Sequence, residues 1–151
     1  AYRSSLYILA SSDALFEQLM TSLQFSGLGG KRTSGYGRFE LEILPVPSLM
    51  GKMLADDKAD KQVLLTTSLP SDNELGLVVH DANYHLVKSS GFTYSPDASE
   101  QLRKEDLYKF ASGSVFTRRY TGVIADVRPN GFVHPVWNYA KGMFYGLEAA
   151  K

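Results

Sequence analysis

"FSGLGGKRTSGYGRFELEI", residues 25–43, places five glycines and three cations ahead of a run in which apolar and charged residues alternate. The alternation of Phe39, Leu41 and Ile43 with Arg38, Glu40 and Glu42 predicts a half-buried strand over residues 39–44, ended by Pro45. Upstream, Leu15, Phe16, Leu19, Met20 and Leu23 recur at helical spacing behind the N-cap candidates Ser11, Ser12 and Asp13. A helix over residues 12–25 follows, with Gly27 as its natural stop. Before it, "SLYILA" (5–10) reads as a strand with apolar side chains on both faces. The expected unit is strand, helix, glycine-rich loop, strand. Its two strands should be neighbours in one antiparallel sheet, with the helix packed across a face through Leu15, Leu19 and Leu23.

The remaining sequence extends this pattern. Residues 45–61, with Pro47, Gly51 and the acidic cluster Asp56, Asp57 and Asp60, read as a connector holding one helical turn. "QVLLTTSLP" (62–70) is a second strong strand signal, and Ser71 and Asp72 can cap a short helix through Leu75, Val78 and Val79. "YHLVKSSGFTYS" (84–95) reads as a strand with an irregularity at Ser-Ser-Gly. Three short strand candidates follow, "DLYKFASGSVF", "GVIADV" and "GMFYGLE", separated by Gly113, Gly122, "RPNG" and His134-Pro135. Two successive strand-helix-strand units with added hairpins predict an α+β, ferredoxin-like (RRM-like) sandwich forming a single domain over residues 1–151.

Composition narrows the function classes. A chain of 151 residues buries roughly two thirds of its unfolded surface, enough for a core without disulfides or metals. The sequence has no cysteine, which removes thiolate zinc sites, redox motifs and thiol nucleophiles; it fits a cytoplasmic protein. Lys plus Arg and Asp plus Glu both number 16, so no global field draws nucleic acid or membrane, and any electrostatic site is local. No membrane span and no cofactor are expected. The opening "AYRSSLYILA" lacks an initiator Met and a signal sequence, the way an interior fragment begins.

Glycine adopts positive φ freely and lets a ligand approach the backbone, so clustered Gly beside Lys and Arg suggests an anion cradle of main-chain N–H groups. A nucleotide-binding P-loop would need Gly and Ser or Thr where Phe25 and Arg32 stand, and it would connect a strand to a following helix. A dinucleotide fingerprint fails at Arg32 and Glu40 in its two frames. Gly35, Tyr36 and Gly37 partly match the Gly-aromatic-Gly run of RNA-recognition strands, although Ser34 and Arg38 break the signature. A bare turn needs one or two glycines. Five of them interleaved with Lys31, Arg32 and Arg38 point instead to phosphate or RNA contact.

The stretch "GLGGKRTSGYGRFE" resembles the glycine-rich loop of the RAMP superfamily of CRISPR-associated RNA-binding proteins. "LYKFASGSVF" (107–116) and "GVIADVRPNGFVHPVWNYAKG" (122–142) extend the likeness over nearly the whole chain. In this order, the three look like the C-terminal half of the subunit that caps the crRNA 5′ handle in Csm (type III-A) effector complexes. The resemblance implies a RAMP fold and an RNA-contacting loop at Gly27, Gly29, Gly30, Lys31, Arg32, Ser34, Gly35 and Gly37. It further implies, as partners, the crRNA, a large polymerase-like signalling subunit and a backbone RAMP subunit. After His-Pro-Val the family tends to show Tyr-Arg-Tyr-Gly, whereas this sequence has Trp137, Asn138, Tyr139 and Ala140. The family's N-terminal ferredoxin-like half has no counterpart here.

The other chemistry-bearing residues form no recognisable set. Some RAMP relatives are metal-independent endoribonucleases with a His base, but His80, His85 and His134 lack the spacing of a shared site. No catalytic residue and no metal site is expected, because Asp56, Asp57 and Asp60 lack the Gly and Glu of a calcium loop. Arg118 and Arg119 fall at an expected hairpin tip, either as a charged turn or as a further phosphate contact. Trp137, Tyr139, Phe144 and Tyr145 are stacking candidates or parts of a core or interface. The expectation is a non-catalytic RNA-binding scaffold, with a handle-processing endoribonuclease using His134 or His80 as its rival.

Overall fold

The computed structural model describes residues 5–29, 31–93 and 101–148, in two compact units, Ala1–Pro45 and Val46–Lys151. In the first unit, α1 (Ala14–Ser26) begins where the carboxylate of Asp13 accepts the Phe16 N–H at 2.9 Å. It ends at Gly27, whose φ of 80° no side-chain-bearing residue adopts cheaply and whose N–H donates to Leu23 O at 2.7 Å. The helix therefore matches its expected caps. The strands do not. Neither residues 5–10 nor residues 39–44 form a ladder, so the expected antiparallel pair is absent among the described residues. A strand persists only when a neighbouring backbone takes its N–H and C=O groups. Leu6 and Tyr7 stay 77% and 89% exposed, and Leu15 and Leu19 on α1 stay 63% and 60% exposed, so the expected packing of the helix on a sheet is also missing.

The second unit holds α2 (Ser48–Ala55), β1 (Lys61–Leu64), α3 (Asp72–Val78), β2 (Leu86–Ser89), β3 (Leu107–Phe110), β4 (Val115–Phe116), β5 (Gly122–Asp126), β6 (Trp137–Lys141) and β7 (Phe144–Leu147). Every ladder among the described residues is antiparallel. β1 lies between β4 and β7, with Gln62 opposite Phe116 on one side and Gly146 on the other. β2 pairs with β3, and β5 with β6. The unit is α+β as expected, but β1 and β2, read as the two strands of a second strand-helix-strand unit, belong to different sheets. The last two residues of the expected 84–95 strand lie outside the described residues. α2 replaces the expected connector with a full helix, and β6 was hidden behind His134-Pro135.

The core is aromatic. Leu64, Val78, Phe110, Phe116, Tyr120 and Phe144 form one buried cluster, with Phe116 and Tyr120 edge-to-face at 5.4 Å and Tyr120 and Phe144 at 4.9 Å. The Tyr120 hydroxyl meets Ser68 Oγ at 2.6 Å, and burial pushes its pKa up to about 12, so it stays a neutral hydrogen-bonding group.

Two polar groups fasten the elements around this core. The guanidinium of Arg119 donates to Leu54 O and Asp56 O at the C-terminal end of α2, at 2.6 and 2.5 Å, and to the buried Gln62 Oε1 at 2.6 Å. It thus occupies helix-end carbonyls that have no intrahelical partner. This long-range clamp explains why a helix forms where local sequence suggested one turn. The Glu74 carboxylate accepts from Ser71 N–H and Oγ at 2.8 and 2.9 Å and from Thr121 N–H at 2.9 Å, joining the start of α3 to the entry of β5.

Replacing Arg119 with Met should lower stability by about 3 kcal/mol, because several charge-assisted bonds vanish and Gln62 Oε1 is left buried without its donor. Denaturant unfolding measures this, and Arg119→Lys should recover less than half. The Glu74 pKa is lowered, chiefly by the Ser71 N–H and then by the Thr121 N–H. Its stabilisation is complete above the ordinary glutamate value of about 4.3 and is lost as pH falls through the lower folded value. Thermal unfolding between pH 6 and 3 should therefore show a shallower acid decline in Glu74→Gln than in the wild type.

Candidate nucleic-acid interface

The glycine-rich loop is a closed lobe with a neck and a face. At the neck, the Leu28 N–H donates to Gly37 O at 2.9 Å, and Gly27 and Gly37 stand at φ of 80° and 84°. A Cβ on Gly37 would overlap the Leu28 carbonyl oxygen, and one on Gly27 would lie 2.8 Å from Gly37 C. These two glycines are required by backbone meeting backbone. Gly29 and Gly35 differ: they have φ of 95° and 81°, yet an added Cβ would meet nothing within 4 Å. Open space lies before them, as a site approached by a ligand requires. Gly30, assigned to the same surface from sequence, lies outside the described residues.

Between neck and tip, Arg32–Ser34 forms a single 3-10 turn, with Ser34 N–H donating to Lys31 O at 3.1 Å and Gly35 N–H to Arg32 O at 3.0 Å. Lys31, Arg32 and Arg38 are all exposed, and none enters an ion pair among the described residues. Some cations elsewhere are neutralised, Lys88 and Arg103 by Asp106 and Arg128 by Asp126, while others, such as Lys52, Lys61 and Arg118, are exposed and in no ion pair among the described residues. The loop is distinguished by bringing three unneutralised cations into one short segment. Tyr36, absent from the sequence-derived site, stands beside these cations with 68% of its surface exposed. Its position between two glycines was the available signal.

The other sequence candidates separate by role. Arg118 and Arg119 belong to the second unit; Arg118 is exposed, whereas the Arg119 guanidinium is engaged by the α2 carbonyls and Gln62. Asp56 contributes its carbonyl to Arg119 and its carboxylate to the Lys58 N–H at 3.1 Å, a structural use for that acidic segment. His80 Nδ1 lies 2.8 Å from Asp81 Oδ2, with both side chains exposed. The His134 ring stacks edge-on against Phe132 at 4.6 Å. Among the described residues, no three His, Asp or Glu side chains gather as a metal site. No helix there is long and apolar enough to cross a membrane. Phe144 is in the core, while Trp137 and Tyr139 face outward on β6.

The motifs behind the family resemblance are built into the second unit's frame. In "GSVF", Phe116 is fully buried and Ser114 Oγ donates to Ala111 O at 2.7 Å. In the His-Pro-Val segment, the Val136 N–H donates to Asp126 Oδ1 at 2.9 Å, closing the β5–β6 connection. A family model described as the CRISPR Csm4 C-terminal domain matches residues 57–147. The chain belongs to the Csm4 family. It is 51% identical over 145 residues to the CRISPR system Cms protein Csm4 of Streptococcus thermophilus, covering 96% of this chain and 48% of that protein. The Mycobacterium tuberculosis (strain CDC 1551 / Oshkosh) Csm4 is 42% identical over 147 residues, covering 95% of this chain and 47% of that protein. The Csm4 of Methanocaldococcus jannaschii is 25% identical over 112 residues, covering 71% of this chain and 29% of that protein. The chain spans about half the length of the first two relatives. The glycine-rich loop precedes the Csm4 C-terminal domain match in the chain.

The division of glycines has a measurable consequence. Gly37→Ala should open the neck, raising hydrogen exchange and protease sensitivity across residues 28–37. Gly29→Ala should cost only the positive-φ strain, about 1–2 kcal/mol locally, and leave the neck amides protected.

Proposed function

We propose that this chain is part of the non-catalytic crRNA-binding subunit of a type III-A (Csm) interference complex. In this reading the glycine-rich loop grips the 5′ handle, and the subunit anchors the large polymerase-like subunit beside the backbone RAMP subunit, in the cytoplasm. One observation carries it. Gly29 and Gly35 hold positive φ with open space before them, next to exposed Lys31, Arg32 and Arg38 that no described carboxylate neutralises. Backbone N–H groups and cations of this kind hold phosphates and set register, while guide pairing reads the target sequence. Membership of the Csm4 family supports the setting, since the relatives are named as proteins of a CRISPR system.

The same proposal covers the fold of the first unit. Residues 5–10 and 39–44 flank α1 and the loop in the order of a ferredoxin-like half, and each becomes a strand when further strands of the full-length subunit pair with it. The apolar surface left exposed on Leu6, Ile8, Leu15, Leu19 and Ile43 is the surface such pairing would cover. The endoribonuclease rival has His80 or His134 as its base; the His80–Asp81 pair is exposed to water, which gives that imidazole no enclosed site in which to act.

The test uses the full-length subunit in its assembled complex. Neutralising about three phosphates of a single strand predicts a log K against log salt slope of roughly −2 for the loop's share. Lys31→Ala with Arg32→Ala should flatten the slope and reduce the crRNA that copurifies with its normal 5′ end. Incubation with repeat RNA should yield no discrete cut. Wild-type crRNA content in the double variant would remove the loop from the interface, and a cut abolished by His80→Ala or His134→Ala would favour the enzyme.

A further inference from the structure

Phosphate contact leaves one prominent residue of the loop without a task. Tyr36 exposes 68% of its surface at the point where the chain turns from the 3-10 helix toward the neck. Its backbone is held on both sides. The Tyr36 N–H points to Lys31 O at 3.4 Å, and the following Gly37 is pinned to Leu28 by the neck hydrogen bond and its close backbone packing. The ring therefore projects from an anchored base rather than from a loose tip. It springs from the same local fold as Lys31 and Arg32, whose side chains are exposed and unpaired among the described residues. No ring contact or side-chain hydrogen bond within the described residues ties the ring down.

We propose that Tyr36 stacks on a nucleobase of the single strand whose phosphates Lys31 and Arg32 hold, which makes the loop a base-contacting as well as a phosphate-contacting element. The inference rests on the RNA-binding reading above and adds to it a named aromatic platform and a ligand class, an unpaired nucleotide. Cations that track a backbone, with an aromatic face beside them, are the two components by which proteins hold single strands. Every base presents a π-face, so this contact tolerates sequence. Gly35, the residue before Tyr36, has open space before it, so the chain next to the ring leaves room for a ligand.

The experiment measures binding of two fluorescent probes to the full-length subunit freed of nucleic acid: a single-stranded oligouridylate and a ribose-phosphate strand of equal length without bases. Tyr36→Ala should weaken oligouridylate binding by about 5- to 100-fold, the range of single-base stacking. Tyr36→Phe should stay within about 2-fold of wild type. Both variants should keep the wild-type salt slope, because no charge is removed, and both should bind the base-free strand as wild type does. Equal loss on both probes would mean that Tyr36 only shapes the loop, and the stack is then wrong. If Tyr36→Ala binds oligouridylate normally while Lys31→Ala with Arg32→Ala does not, the stack falls and the phosphate reading stands. If neither change alters binding, both fall.

Discussion

A single guanidinium gathers the second unit. Arg119 sits between the last turn of α2 and the first strand of the central sheet, and its donors reach the Leu54 and Asp56 carbonyls and the Gln62 amide. Gln62 is fully buried and uses its own amide hydrogens on Asp56 O and Ala59 O, so one amide side chain and one cation close the whole turn between helix and strand. Without that network the half-buried carbonyls at the end of α2 would lose their donor and the buried Gln62 oxygen would be left unpaired, a cost that recurs for each unpaired group. The strand that leaves this turn, β1, pairs with both β4 and β7 and carries Leu64 into the aromatic cluster.

The legibility of the sequence tracked the range of the interactions. Where a few consecutive residues decide an element, the reading succeeded: Asp13 and Gly27 bound α1, and Ser71, one of the two expected caps, opens α3. Where the deciding partner is distant, it failed. α2 depends on Arg119, more than 60 residues away, and "SLMGKMLA" alone, with Gly51 inside it, reads as a weak helix. β6 shows the same limit, for Trp137 and Tyr139 alternate with Asn138 and Ala140, yet the preceding Pro135 masked the strand until β5 was seen beside it. The candidate site was legible in composition but not in division of labour. Five glycines in one loop look alike in a sequence, and only the backbone separates those that pack from those that face open space.

The first unit carries the opposite lesson. Its alternation and helical periodicity are strong signals of amphipathic elements, and the exposed Leu6, Ile8, Ile43 and Leu44 agree with that pattern while lacking the layer that would reward it. Hydrophobic patterning specifies which face is to be covered, and coverage itself is a property of what lies against that face. Secondary structure that depends on a ladder is therefore the first thing to be missing when no neighbouring backbone pairs with it, whereas α1, whose repeating backbone bonds are internal, forms regardless.

The neck of the glycine-rich loop bears on when entropy is lost. Joining the ends of a flexible segment of this length costs on the order of 2 kcal/mol, and the Leu28–Gly37 contact commits that cost during folding. A ligand arriving at residues 29–36 meets a segment whose ends are already fixed, so less of its interaction energy goes into ordering the protein. The same closure uncouples the lobe from α1: lengthening or shortening the tip would change the shape offered to a ligand without altering the register in which the chain leaves the helix.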